Sequence, residues 1–267
     1  MTILERGSGI KCIAIHGFAE GAFVWEPLLD SANHEFCVVA PDLRGHGDSE
    51  WDPEARYAVA DYTRDIECLI DTIGGGPLIL IGHSLGGRIA LELAASGSFD
   101  VRGLILVDFS FIYSPELSAR VADEFHANQR DYASPGQFAT LLKTRRPLLS
   151  ELAAQRAAVR TLRRCDDGWF RLKADPAIRL DREKTQHSVA MLSRVPCPAL
   201  VIRGAWSAVL SAQVAAETAA LLPDATVTSV ERAGHAVMSD NPSGFIQAAL
   251  PAITRYADGG GIVQKRP

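Results

Sequence analysis

The stretch Ile79-Leu80-Ile81-Gly82-His83-Ser84-Leu85-Gly86-Gly87 decides the reading of this chain. A run of branched apolar residues ends in Gly-x-Ser-x-Gly, and a helical pattern starts directly behind it. That order predicts a strand, a sharp turn and a helix. In such a turn Ser84 takes a strained backbone conformation. Gly82 and Gly86 leave room where a Cβ would collide with neighbouring chain. The Ser84 hydroxyl is lifted above the sheet edge with a helix N-terminus aimed at it. Negative charge developing there is stabilised by free backbone N–H groups and the helix dipole. The plain alternative is a small-residue turn that only connects strand to helix. The strand before, the helix after and two further motifs weigh against it.

Outward from this turn, short apolar runs alternate with helical patterns. Strands are predicted at 10–16, 36–40, 77–82, 102–108, 198–203 and 225–231. A helix over 57–73 places Tyr62, Ile66, Leu69, Ile70 and Ile73 on one face. Another over 85–96 turns Leu85, Ile89 and Leu93 inward. The alternation predicts a mostly parallel sheet with helices on both faces. It breaks between about 112 and 195, a helical stretch rich in Arg and Ala with no convincing buried strand. This stretch reads as a lid over the C-terminal edge of the sheet, where open α/β sheets place their sites. The domains are then 1–111 with 196–267 as core and 112–195 as helical cap. The glycine-rich end beyond Tyr256 reads as frayed.

With 267 residues, 47% of them hydrophobic, the chain can bury a large core. A net charge of −5 without a basic block argues against a nucleic-acid partner. No apolar run approaches the ~18 residues of a membrane span, and the N-terminus lacks a signal-peptide layout. Cys12, Cys37, Cys68, Cys165 and Cys197 show no CxxC pairing. An odd count without a framework suits a reduced, cytoplasmic compartment, and neither a metal nor a cofactor is expected.

A serine hydroxyl needs a base, usually His, and that His needs an acid to fix its tautomer. His235, in Ala233-Gly234-His235-Ala236 beyond the last predicted strand, is the base candidate. His83 is expected to pack or hydrogen-bond beneath the turn. An oxyanion hole needs two donors aimed at one point. The backbone N–H of Leu85 is one. The N–H of Phe18, in His16-Gly17-Phe18-Ala19 after the first strong strand, is the other. The side chains of Phe18, Trp25, Phe109 and Trp206 are candidates for the pocket wall, with Phe111 at the end of the core and Tyr113, Phe125, Tyr132, Phe138, Trp169 and Phe170 from the cap. Arg145, Arg146, Arg156, Arg160, Arg163, Arg164 and Arg171 read as a solvated helical face, or else supply one or two cations for a substrate carboxylate or phosphate.

Four segments, in this order, resemble the α/β-hydrolase superfamily: His16-Gly17-Phe18, Asp42-Leu43-Arg44-Gly45-His46-Gly47-Asp48-Ser49, Gly82-His83-Ser84-Leu85-Gly86-Gly87 and Gly234-His235. The resemblance spans about residues 10–255. It implies the α/β-hydrolase fold, with a helical lid inserted after the sixth core strand and a structural role for the Asp42–Ser49 turn. The chain departs from the family at the acid. Where relatives commonly carry Asp, this chain reads Arg203-Gly204-Ala205-Trp206-Ser207-Ala208. A subset of relatives places the acid at the end of the preceding core strand, and Asp108 fits that position. A structural Asp108, and a dyad assisted by Ser207, remain alternatives.

The resemblance implies a serine hydrolase with a Ser84–His235–Asp108 triad. Its substrate would be a small to medium ester, lactone, thioester or activated ketone, cleaved through an acyl-enzyme at Ser84. The alternative is a lyase or cyclase on the same scaffold using His235 as acid and base, and a third class is a non-catalytic ligand receptor.

Overall fold

In the computed structural model, which describes residues 1–112, 114–179 and 185–259, seven strands form one sheet. Tyr113 and residues 260–267 lie outside the described residues. The strands are β1 (Ile3–Gly7), β2 (Ile10–Ile15), β3 (Phe36–Pro41), β4 (Leu78–His83), β5 (Val101–Val107), β8 (Ala199–Gly204) and β9 (Ala225–Val230). Their order in space is β1-β3-β2-β4-β5-β8-β9. Only β1 runs antiparallel, on β3. The central strands are buried along their length, as continuous apolar runs in a sheet covered on both faces must be.

Successive strand residues serve opposite faces. Ile13, Ile15, Leu80 and Leu104 join the layer of α2 (Val59–Thr72) and α3 (Leu85–Ser96). Cys12, Ala14, Ile81 and Ile105 join the layer of α1 (Glu26–Leu29) and α10 (Pro242–Ala257). Two further helices flank the last strands, α8 (Ala212–Leu221) and the short α9 (Val237–Asp240). Helix α3 ends at Gly97, whose φ of 72° is the left-handed cap a glycine adopts without strain.

The segment between β5 and β8 holds α4 (Pro115–Asn128), α5 (Pro135–Arg145), α6 (Glu151–Thr161) and α7 (Thr185–Leu192). Ser114, Ser134 and Ser150 cap the first three, each accepting from a backbone N–H three residues on. The segment is not wholly helical: β6 (Leu162–Arg164) and β7 (Phe170–Leu172) pair as a hairpin. Three-residue strands are too short to carry a period-two signal. The segment also leaves after the fifth strand of the chain rather than a sixth, because β1 alone precedes β2 among the described residues. No described helix is long and apolar enough to cross a membrane.

Sheet order and register place the site. Connections leave β2 and β4 in opposite directions across the sheet, so a crevice opens where their C-terminal ends lie side by side. Ile15 pairs with Gly82, His83 with Val107, and Val107 with Ile202. The loops that follow β2, β4, β5 and β8 therefore leave the sheet at nearly one level.

Candidate active site

Ser84 follows β4 with φ 51° and ψ −113°, the strained geometry that its glycine neighbours predict. A Cβ on Gly82 would sit 2.2 Å from Gly86 O, and one on Gly86 would sit 2.1 Å from Ile15 O. No side chain fits at either place, so the turn closes only with glycines. Leu85 begins α3, and a first helical residue has no intrahelical acceptor for its N–H.

Asp108 follows β5, is fully buried, and also holds a positive φ, 46°. Its Oδ1 accepts from Gly204 N at 2.9 Å. Its Oδ2 lies 2.8 Å from His235 Nδ1 and accepts from Ser207 Oγ at 2.5 Å. The Ser207 hydroxyl in turn accepts from Val209 N and Leu210 N, which directs its proton at Asp108. Ser207 thus supports the carboxylate from the loop after β8. The His235 ring is about one-third exposed and lines the same cavity as Ser84. Gly204 brings β8 against this loop, since a Cβ there would lie 2.1 Å from Gly234 O.

The cavity holds about 470 Å³. Phe18 and Phe109, named above for the wall, line it with Leu85 and with Phe111, which directly precedes the inserted segment. Helix α4 adds Leu117, Ser118 and Val121. Phe125 packs edge-on against Phe18, with ring centroids 5.1 Å apart.

Two of the four core candidates for the wall, Trp25 and Trp206, lie elsewhere. Trp25 is fully buried on the opposite face of the sheet, against Phe245 of α10. Trp206 is 61% exposed. Its N–H bonds Ala233 O, and the next residue, Ser207, takes the inward direction, so the indole faces solvent. In the segment between β5 and β8, Tyr132 and Phe138 pack on each other, and Trp169 is exposed.

None of the seven arginines singled out in the inserted segment lines the cavity. Arg145, Arg146, Arg160 and Arg171 pair with Glu124, Asp240, Glu26 and Asp131 respectively. The Asp42–Ser49 turn is braced internally. Asp42 accepts from Ala22 N and Asp48 N, and a Cβ on Gly47 would meet its carboxyl group at 2.1 Å.

Sequence reasoning missed Glu20. It lines the cavity, accepts from Gly17 N at 2.9 Å, and lies 2.8 Å from His83 Nδ1. The available signal was a carboxylate in an otherwise small and apolar loop, Gly17-Phe18-Ala19-Glu20-Gly21. Burial raises the Glu20 pKa, but the His83 charge and hydrogen bonds from His83 and Gly17 hold it well below the usual carboxylate range. Arg88 of α3, its Nε 2.9 Å from Glu92, also lines the cavity.

Residues 12–248 match the profile of the alpha/beta hydrolase family. The chain is 30% identical over 259 residues to the 2-(acetamidomethylene)succinate hydrolase of Mesorhizobium japonicum, covering 97% of this chain and 91% of that protein. A crystal structure of E-2-(acetamidomethylene)succinate hydrolase superposes with a TM-score of 0.82 at 30% identity, covering 96% of this chain and 94% of that one. The N-formylmaleamate deformylase of Pseudomonas putida is 26% identical over 248 residues, 91% of this chain and 88% of that protein. With the strand order, the serine turn and the family profile in agreement, the chain belongs to the α/β hydrolase family.

Proposed function

We propose that this protein is a serine hydrolase that cleaves a small to medium ester, lactone, thioester or activated ketone through an acyl-enzyme at Ser84. One observation carries the reading: the Asp108 carboxylate lies 2.8 Å from His235 Nδ1 in a ring that shares the cavity of Ser84. A carboxylate on Nδ1 fixes the tautomer with Nδ1–H, so Nε2 is left to take a proton.

In this mechanism His235 Nε2 removes the Ser84 proton as Oγ attacks the substrate carbonyl. The oxyanion is held by the backbone N–H groups of Leu85 and Phe18. His235 then protonates the leaving group. Water, deprotonated by His235, attacks the acyl-enzyme and releases the acid and Ser84. The apolar wall of Phe18, Phe109, Phe111, Leu117 and Val121 takes the acyl or leaving group. The segment 112–195 acts as the cap that sets which groups fit.

The lyase or cyclase reading drew on a displaced acid. With Asp108 against His235, that motive falls away and hydrolysis is favoured. The first substrates to assay are short p-nitrophenyl esters beside 2-(acetamidomethylene)succinate and N-formylmaleamate, the compounds that the relatives' names give. A fluorophosphonate probe should label the wild type at Ser84. Ser84→Ala should fold, resist the probe and lose several orders of magnitude in kcat. Normal turnover by Ser84→Ala would remove the acyl-enzyme from consideration.

A further inference from the structure

The proposed mechanism leaves a buried charged pair unused. His83 is 1% exposed and the Glu20 side chain 19%. Glu20 Oε2 lies 2.8 Å from His83 Nδ1, and the carbonyl oxygen of His235 lies 2.9 Å from His83 Nε2. Carboxylate and carbonyl oxygens both accept hydrogen bonds. With Glu20 held below the usual carboxylate range and so ionised, each ring nitrogen must donate, and an imidazole that donates twice is an imidazolium. A cation so deeply buried persists only with an anion against it, and Glu20 supplies one.

The pair also touches three loops at once. Glu20 holds Gly17 N, in the loop that carries Phe18. His83 precedes Ser84 in the chain. Its Nε2 reaches the loop that carries His235. A Cβ on Gly17 would stand 2.8 Å from His83 Nδ1 and 2.9 Å from Glu20 Oε2, so the glycine lets that loop lie against the pair.

We infer that Glu20 and His83 form a buried carboxylate–imidazolium pair that fixes the Phe18 loop and the His235 loop relative to Ser84. Both are positioning residues for the reaction proposed above, and the inference rests on that reading.

The His83 ring also lies close to that of His235, with ring centroids 4.7 Å apart. The groups facing His83 are Glu20 and His16 from the loop after β2, Asp108 from the end of β5 and His235 from the loop after β9. Burial pulls the His83 pKa down. The charge and hydrogen bond of Glu20, the charge of Asp108 and the His235 carbonyl outweigh burial and leave it above the usual value.

Imidazole ¹⁵N NMR of the full-length protein reads His83 directly and needs no substrate, with His83→Gln assigning the signals. Both His83 nitrogens should be protonated near neutral pH, and a ring with one bare nitrogen there overturns the pair. Glu20→Ala should lower kcat by about tenfold or more with KM within about threefold, because oxyanion contacts act mainly in the transition state. Glu20→Gln keeps an acceptor for Gly17 N but removes the anion that His83 needs, so it should restore only part of that loss. His83→Gln can still donate to the His235 carbonyl but leaves the Glu20 charge unbalanced. Its kcat should then fall by about tenfold, with KM within about threefold. The positioning role is overturned if Glu20→Ala or His83→Gln keeps kcat within about twofold, or if Gln at position 20 fares no better than Ala. Should Glu20→Ala fail to fold, the spectrum and the His83→Gln kinetics decide. Failure of the parent reading shows separately, as a wild type that the fluorophosphonate does not label, and the positioning role falls with it.

Discussion

Ser84 and Asp108 hold their backbones at φ 51° and 46°, where an L-residue sits at a cost of about 1–3 kcal/mol. They end neighbouring strands, and Ser84 N donates to Val107 O across the join. Asn tolerates positive φ as well as Asp does, so Asp108→Asn changes charge and little else. The substituted amide favours the wrong His235 tautomer and leaves the imidazolium unstabilised. The fall in kcat should be on the order of 10³–10⁴. Ser207→Ala removes one neutral donor to Asp108 and should cost less than about tenfold. It also strips the acceptor from Val209 N and Leu210 N, so stability should drop by about 1–2 kcal/mol in urea titration. A larger kinetic loss from Ser207→Ala than from Asp108→Asn would make Ser207 the orienting group. Because Ser207 Oγ already lies 2.5 Å from Asp108 Oδ2, a carboxylate at 207 can reach toward His235. Ser207→Asp in the Asp108→Asn background should recover part of the activity.

At the scale of elements, register turns separate motifs into one site. The pairing of Ile15 with Gly82 and of His83 with Val107 brings the ends of β2, β4 and β5 together, although Gly17, Ser84 and Asp108 are far apart in sequence. This much was legible in the sequence, because the strand ends carry glycines and because buried parallel strands read as unbroken apolar runs. The directions of Trp25 and Trp206 were not legible. Trp206 lies in a turn and Trp25 ends a single short helical turn, Ala22–Trp25, and neither is long enough for a periodicity to record which way its side chain points. Strand β1 escaped notice because it is an edge with mostly exposed residues, and β6–β7 because it is short. Glu20 escaped because its partner His83 is brought to it only by the pairing of β2 with β4. Helix α4 offers the clearest handle on specificity, since Leu117 and Val121 face the cavity. Val121→Phe should narrow the acyl site. For longer acyl chains kcat/KM should fall by about tenfold or more, while an acetyl ester stays within about threefold. Equal losses for all chain lengths would show that α4 does not select the acyl group.

Across the whole molecule, buried histidines make stability depend on pH. His16 is fully buried, its Nδ1 lies 2.8 Å from Gly17 O, and its Nε2 accepts from Leu43 N. That pattern requires the neutral ring, and burial pushes its pKa down to about 4. His46 is buried beside it, and burial together with the neighbouring His16 lowers its pKa to about 3. Both values lie below the ~6.5 of an unfolded histidine. Between those limits the unfolded chain binds protons that the folded chain refuses. The contribution of both residues is complete above about pH 6.5 and is lost as pH falls toward 4 and then 3. For His16 alone the loss amounts to about 3 kcal/mol. Glu20 acts in the same direction at lower pH: its pKa is depressed, so its contribution disappears as pH falls below the usual carboxylate range. His83 acts oppositely. Its raised pKa gives a contribution that is whole below about 6.5 and fades as pH rises through the folded value. Urea titrations at closely spaced pH should therefore show the steepest slope on the acid side. Near pH 5 His16 and His46 should together account for uptake of about two protons on unfolding, a slope of roughly 2.7 kcal/mol per pH unit. A flat profile between pH 6.5 and 4 would mean that these rings open to water or exchange their hydrogen bonds before the sheet unfolds.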